Sequence, residues 1–286
     1  MSAALWEQQI LAKPYFDPQG LIVATDGARP IGFVHAGFGP TELGDELDHR
    51  RGAICRLLTG PHEDRPVIMG ELLSAGEHYL SQHGARESVA GNIDPLGPFY
   101  LGLYGSSLQV GVLQSDAAQL SFYELHGYAR IGQRLIMQRQ MLSYRCPVDR
   151  DQVKHRKVYE ICRHDDPLSQ TWWEACSTCH LERNAFELSP KCGGNVLAAA
   201  VTANLHQLGK AWGVQAAGFE SVTALPEAWL NGSALLLMAE AMKALHCEGV
   251  MLMEAVVDDL TSPLGRVLTN LAFKEVDRGI TLSKSL

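Results

Sequence analysis

Arg65-Pro-Val-Ile-Met-Gly70 running into Glu71, and Trp229-Leu-Asn-Gly-Ser-Ala234 running into Leu235, are the stretches whose reading decides the fold. Each follows a β-rich segment and opens an apolar run at helical spacing, so each is a strand, turn and helix junction. The start of such a helix presents unpaired backbone N–H groups and the positive end of the helix dipole, which attract phosphate. Glycine or alanine there lets a ligand approach the backbone. Two junctions of this kind predict two tandem α/β units, each suited to a pyrophosphate-bearing ligand.

Outward from the first junction, the sequence reads as a hairpin (20–25 with 31–38), a strand (52–58), a helix (69–83) and a strand (87–91). A Gly/Pro/aromatic loop (92–112) follows, then a helix capped by Ser115 or Asp116 and a strand (131–141). Residues 3–12 read as a helix. No apolar period crosses 146–152, which makes it the expected linker between domains at 1–146 and 153–286. The second half repeats the order: strand 157–162, helix 168–181, hairpin 184–188 with 195–202, strand 218–223, helix 233–246, strand 250–257, helix 262–271 and strand 279–283. Gly70 to Gly127 spans 127 − 70 = 57 positions and Ala234 to Ala272 spans 272 − 234 = 38, so the first half carries 19 extra, about the size of its loop. This predicts a divergent internal duplication with one insertion.

The 286 residues are enough for two cores, and 46% hydrophobic with 20% charged residues is the composition of a folded chain. A net charge of −8 argues against nucleic acid, which demands a cationic face, and favours a cationic or amine partner. The N-terminus lacks a basic and apolar leader and no segment reaches the length of a membrane span, so a cytoplasmic location without membrane contact is expected. Seven cysteines without a leader read as reduced thiols. Cys176, Cys179 and His180 have the CxxCH spacing of haem attachment, yet they fall within the expected helix 168–181. They are taken as buried helix thiols, with no metal.

The order of hairpin, strand, loop-helix, strand, helix and strand resembles the GNAT superfamily of acyl-CoA-dependent N-acyltransferases. That family's cofactor signature is Arg or Gln, two residues, Gly, one residue, then Gly or Ala. The first half matches at Arg65 and Gly70 but has Ile68 at the inner glycine; the second matches at Gly232 and Ala234 but has Trp229 first. A second family pattern places Asn, Tyr and Gly-Phe along the next helix. Asp116, Tyr123 and Gly127-Tyr128 take these places in the first half, and Thr261, Leu268 and Ala272-Phe273 in the second.

The resemblance implies two GNAT-like domains, each a mixed, mostly antiparallel sheet flanked by helices, the first lacking the family's first strand. It implies acetyl-CoA held by Leu58, Thr59, Arg65, Val67, Ile68, Met69, Gly70, Glu71 and Asp116, or by Gly232, Ser233 and Ala234 in the other half. The reaction would be direct attack of a small-molecule or peptide amine on the thioester, with Tyr123 as the acid for the departing thiolate and His35, or His62, as the base. Tyr123 also reads as a packing residue. Asn92, Asp94, Phe99, Tyr100 and Tyr104 of the insertion would line the acceptor pocket, or merely cover the junction between halves. A tandem pair would supply a dimer-like contact within one chain. The rival is an acyl-CoA-binding pseudoenzyme, and the half that carries catalysis stays open.

Overall fold

The computed structural model describes residues 3–103, 107–148 and 150–286. A short helix α1 (Ala3–Trp6) continues as a π-helical turn, Glu7–Leu11. Strands β1 (Leu21–Asp26), β2 (Arg29–Pro40) and β3 (Leu47–Thr59) form a meander, the first turn made by Gly27 at φ +59°, which glycine adopts without a Cβ clash. Next come α2 (Arg65–Gln82), β4 (Glu87–Ala90), the two-residue β5 (Val112–Leu113), α3 (Ala117–Leu125) and β6 (Ala129–Gln140).

The second half holds α4 (Arg150–Val158), β7 (Tyr159–Asp165), α5 (Trp172–Thr178), β8 (Arg183–Pro190), β9 (Ala198–Asn204), α6 (His206–Trp212) and β10 (Ala216–Ala224). It ends with α7 (Pro226–Asn231), α8 (Ser233–Cys247), β11 (Leu252–Val257), α9 (Pro263–Asn270) and β12 (Lys274–Ser285). Four helices differ from the sequence reading. α4 fills part of the expected linker, α6 and α7 fall where no helix was read, and α5 is half its expected length because Thr171 caps it, accepting from the Glu174 N–H.

All the strands lie in one sheet, in the order β1-β2-β3-β4-β12-β6-β11-β10-β9-β8-β7, with β5 also on β12. The pairs β3/β4 and β10/β11 are parallel and the others antiparallel. The last strand of each half has crossed over: β12 lies between β4 and β6, and β6 between β12 and β11. Lys274 faces Gln138 and Ser283 faces Ala129, so adding 145 to a residue of β6 gives its counterpart in β12 (274 − 129 = 283 − 138 = 145). The preceding corners obey the same offset. Gly127 (φ +89°) matches Ala272 (φ +57°), and the N–H donations Tyr128 to Tyr123 O and Phe273 to Leu268 O match at 3.1 and 3.0 Å.

The β-bulges give a second offset. Cys55 is the extra residue of β3 and Glu220 that of β10 (220 − 55 = 165), so the parallel pair Ala53–Val89 maps onto Gly218–Glu254. The buried residues Leu72, Leu73, Gly76 and Leu80 of α2 then correspond to Leu237, Met238, Ala241 and Leu245 of α8. The insertion is therefore 165 − 145 = 20 residues, one more than the glycine match gave, and Gly70 corresponds to Leu235 rather than Ala234. Degenerate glycines had shifted that match by one position; the buried face of the helix fixes it.

One face of the sheet carries α2 and α3 over the first half and α8 and α9 over the second. The other face is covered, in the first half, by Ile10, Tyr15, Leu96, Phe99 and Tyr100 together with Trp173 of α5. Each such large side chain contributes roughly 1.5–3 kcal/mol by leaving water.

Candidate active site

β3 and β4 pair from Arg51–Glu87 to Ile54–Ala90 and then part. The parting coincides with a β-bulge: His35 faces Arg56 and Ala36 faces Ile54, leaving Cys55 as the extra residue. Such a bulge takes backbone groups off the ladder and bends the strand. The place beside β12 that β4 gives up is taken by β5, where Val112 faces Ile280 and Leu113 faces Gly279. Between β3 and β5 opens a cavity of about 160 Å³, walled by residues 54–57, Gly91, Asn92, Tyr100, residues 109–113, Asp116, Gln119 and Tyr123.

Several polar groups converge here. Asn92 Nδ2 donates to Phe99 O (2.8 Å) and Cys55 O (3.3 Å), while its Oδ1 is buried with no partner among the described residues. Gln109 Nε2 also donates to Phe99 O. Asp116 Oδ1 accepts from the Gln119 N–H at 3.0 Å and so starts α3 at the cavity rim. Tyr123 is 1% exposed, and burial holds its phenol above the ordinary range, opposed by the nearby Arg56 charge. The hydroxyl therefore keeps its proton at neutral pH, as an acid must.

His35 is not on the cavity wall. Its Nδ1 lies 2.9 Å from the Tyr100 hydroxyl, its ring stacks at 4.2 Å on Phe99, and burial lowers its pKa to about 4. Tyr100, in a left-handed conformation (φ +70°), is the member of that pair that reaches the cavity. His62 sits outside it, beside the start of α2, where its Nδ1 accepts from the Asp64 N–H.

The insertion divides between the two roles foreseen for it. Asn92 and Tyr100 wall the cavity. Phe99 instead fills the core against Tyr15, and Asp94 faces Arg134 at 3.9 Å outside the cavity, its pKa raised by burial. Tyr104 lies outside the described residues. Cys55, Arg56, Gln109 and Gln119 were missed: a bulge leaves no local sequence signal, and the return of the insertion to the sheet is a long-range event.

The two junctions depart from expectation. Arg65, Val67, Ile68, Met69, Gly70 and Glu71 are not loop but the first two turns of α2, and the Ile68 N–H already donates to Asp64 O at 3.0 Å. Pro66 near the helix start suits this, since it has no N–H to satisfy. The loop is residues 60–64, next to Leu58 and Thr59 at the end of β3, and Arg65 Nε donates to Thr59 Oγ1 at 3.1 Å. This helix start is open to solvent, with Val67 63% exposed.

The second junction is closed. Gly232 (φ +83°) separates α7 from α8, Ser233 and Ala234 are fully buried, and α4 covers them: Gln152 Nε2 donates to Gly232 O (3.4 Å) and His155 Nε2 to Asn231 O (2.8 Å). Gly232, Ser233 and Ala234 thus form a packed helix-helix corner, and the more permissive glycine sequence is the less accessible one.

Around the second divergence the chemistry also differs. The bulge residue there is Glu220, whose carboxylate accepts from Arg183 Nε at 2.8 Å; Val201 replaces His35 and Leu268 replaces Tyr123. Cys179 is exposed rather than buried in a helix, and the buried Lys13 donates to Cys176 O at 2.6 Å, holding the N-terminal segment to the end of α5. No helix among the described residues is long and apolar enough to cross a membrane.

No family model and no curated protein matches the chain in sequence. Solved structures do match in fold. A tandem GNAT protein from the clavulanic acid biosynthesis pathway superposes with a TM-score of 0.64 at 13% identity, over 94% of this chain and 85% of that one. The fold is that of the GNAT superfamily. The glucosamine N-acetyltransferase region of a fungal multi-domain GH3 β-N-acetylglucosaminidase gives a TM-score of 0.66 at 15% identity, over 98% of this chain and 36% of that one. A GCN5-related N-acetyltransferase from Sphaerobacter thermophilus gives 0.58 at 14%, over 99% and 84%. In this GNAT fold, the bulged strands β3 and β10 occupy equivalent places in the two halves.

Proposed function

We propose that the first half, residues 1–146, is an acyl-CoA-dependent N-acyltransferase and that the second, residues 153–286, is its structural partner in an intramolecular dimer-like pair. The observation that carries this is the cavity at the Cys55 bulge, whose wall includes both the protonated, buried Tyr123 and Asn92, whose Oδ1 has no partner among the described residues. The acetyltransferases that share the fold support the reaction class. When bound, acetyl-CoA would supply the activated thioester. The exposed start of α2 and the end of β3, with Arg65, Val67 and Thr59, would hold its diphosphate. Glu71 and Gly70 lie a turn further along.

The chain's own contributions follow from the geometry. Backbone groups released at the Cys55 bulge offer a donor to a developing oxyanion. Asn92 Oδ1 offers an acceptor to an amine N–H. As an amine displaced the thiol, Tyr123 would give its proton to the departing sulfur, and the proton lost by nitrogen would pass through Tyr100 to His35 or to solvent, from which Tyr123 would be reprotonated. Acetyl is the simplest acyl group for a cavity of this size, and the acceptor would be an amine.

The second reading, acyl-CoA binding without turnover, is favoured by His35, the expected base, which lies off the cavity wall with its pKa lowered to about 4 by burial. Calorimetry with acetyl-CoA, followed by an amine-library acetylation assay, separates the two. Binding with acetylation supports the enzyme, binding without it supports the second reading, and no binding refutes both. Val67→Glu should abolish binding, while Gly232→Trp should spare it in whatever protein folds; the reverse would move the site to the second half.

A further inference from the structure

The two halves differ at a pair of positions where packing alone requires no difference. Ala53 and Val89 face each other across β3/β4, and their counterparts across β10/β11 are Gly218 and Glu254. Both departures serve one residue of the first half. Glu254 is fully buried; its Oε1 accepts from the Ser107 backbone N–H at 2.5 Å, and its Oε2 accepts from Gln138 Nε2 at 2.7 Å. A Cβ on Gly218 would collide with the Ser107 side chain.

A buried carboxylate is costly unless hydrogen-bonded, whereas Val89 shows that an apolar side chain fills the equivalent place. What Glu254 holds is the return of the insertion to the sheet. Two residues after Ser107, Gln109 O accepts from the Asp94 N–H (2.8 Å), the Gly111 N–H donates to Asn92 O (2.6 Å), and Val112 joins β12. Residues 109–113 are the cavity wall opposite β3.

We propose that Glu254, seated in the second half, is a positioning residue for the acyl-transfer site of the first: through Ser107 it anchors the 107–113 wall, with Gly218 giving that wall room to dock. The second half is then part of the site's construction. This rests on the acyltransferase reading for its catalytic consequence, though not for the anchor itself.

The test uses the full chain with Glu254→Val, Glu254→Gln and Gly218→Ala. Hydrogen exchange is followed peptide by peptide, alongside acetyl-CoA calorimetry and turnover of a primary amine. Glu254→Val and Gly218→Ala should raise exchange in 107–113 about tenfold or more while α8 stays protected, and should lower kcat/KM for the amine by about tenfold with little change in acetyl-CoA affinity. Glu254→Gln, whose Oε1 still accepts from Ser107, should stay near wild type on both readouts. Unchanged exchange at 107–113 in Glu254→Val, or loss of protection spread evenly over the sheet, would overturn the anchor. Failure of wild type to bind acetyl-CoA would remove the acyltransferase reading while the exchange result still decides the anchor.

Discussion

The first and second halves share a backbone plan down to the same bulge, yet only the first has a tyrosine on the helix above it. Cys55 and Glu220 occupy the bulge, Tyr123 and Leu268 the helix above it, and His35 and Val201 the neighbouring strand. In the first half Cys55 and Tyr123 wall a cavity into which a protonated phenol is brought, with His35 behind Tyr100. In the second, Glu220 is tied to Arg183, and the nearby Glu254, whose pKa burial raises, is spent on holding a wall of the other half. Equal folds therefore carry unequal chemistry: the backbone repeat sets where a site could be, and side-chain substitution decides which copy has one.

The exchange of β6 and β12 makes this comparison breakable. Leu282 belongs to the second half in sequence but is fully buried in the first half's core beside Leu120 and Tyr123. Leu282→Ala should cost about 2–5 kcal/mol in urea unfolding and lower the protection of α2 and α3 first. If α8 and α9 alone lost protection, the crossed strand order would be wrong.

Acid should also separate the halves. Burial drops the folded-state pKa of His35 to about 4 from its ordinary value of 6.5, so the unfolded chain binds the extra proton between those limits. Stability then falls as pH decreases through that window, by at most about 3 kcal/mol from this group. His180, also lowered to about 4, adds in the same direction. Stability curves of His35→Gln measured from pH 7 to pH 4 should have a shallower acid slope than wild type; an identical slope would mean His35 titrates normally.

Tyr123→Phe should lower turnover about 10²-fold with unchanged acetyl-CoA affinity, since it removes a proton donor and little volume. Equal turnover would leave Tyr123 as a packing residue. The smallest effect concerns the matched corners. Gly127→Ala should destabilise by about 1 kcal/mol and Ala272→Gly should stabilise by a similar or smaller amount, because both positions have positive φ. Thermal melts that moved in the opposite directions would break the structural equivalence.

Much was legible in advance because it is local. Alternating apolar runs gave the strands, the Asp116 cap and the Gly127 corner bounded α3, and the element order exposed the duplication. Asn92, Tyr100, Asp116 and Tyr123 could be singled out from sequence. The junctions misled because a phosphate-binding glycine turn and a packed helix corner use the same residues. Ser233 and Ala234 are distinguished from a ligand cradle only by the α4 segment that lies over them.

The sequence by itself determined the order of the main strands and of the helices α2, α3, α8 and α9, the repeat with its one insertion, and the presence of a tyrosine in one copy and a leucine in the other. Only the tertiary structure decided that the last strands change places, that Cys55 is a bulge, that His35 lies at one remove from the cavity, and that Glu254 accepts from Ser107 of the opposite half. The physical reason is range. Helical and strand periodicity, caps and turns are written within a few residues, whereas strand partners, bulges and cavity walls depend on segments from about twenty to well over a hundred residues apart finding one another.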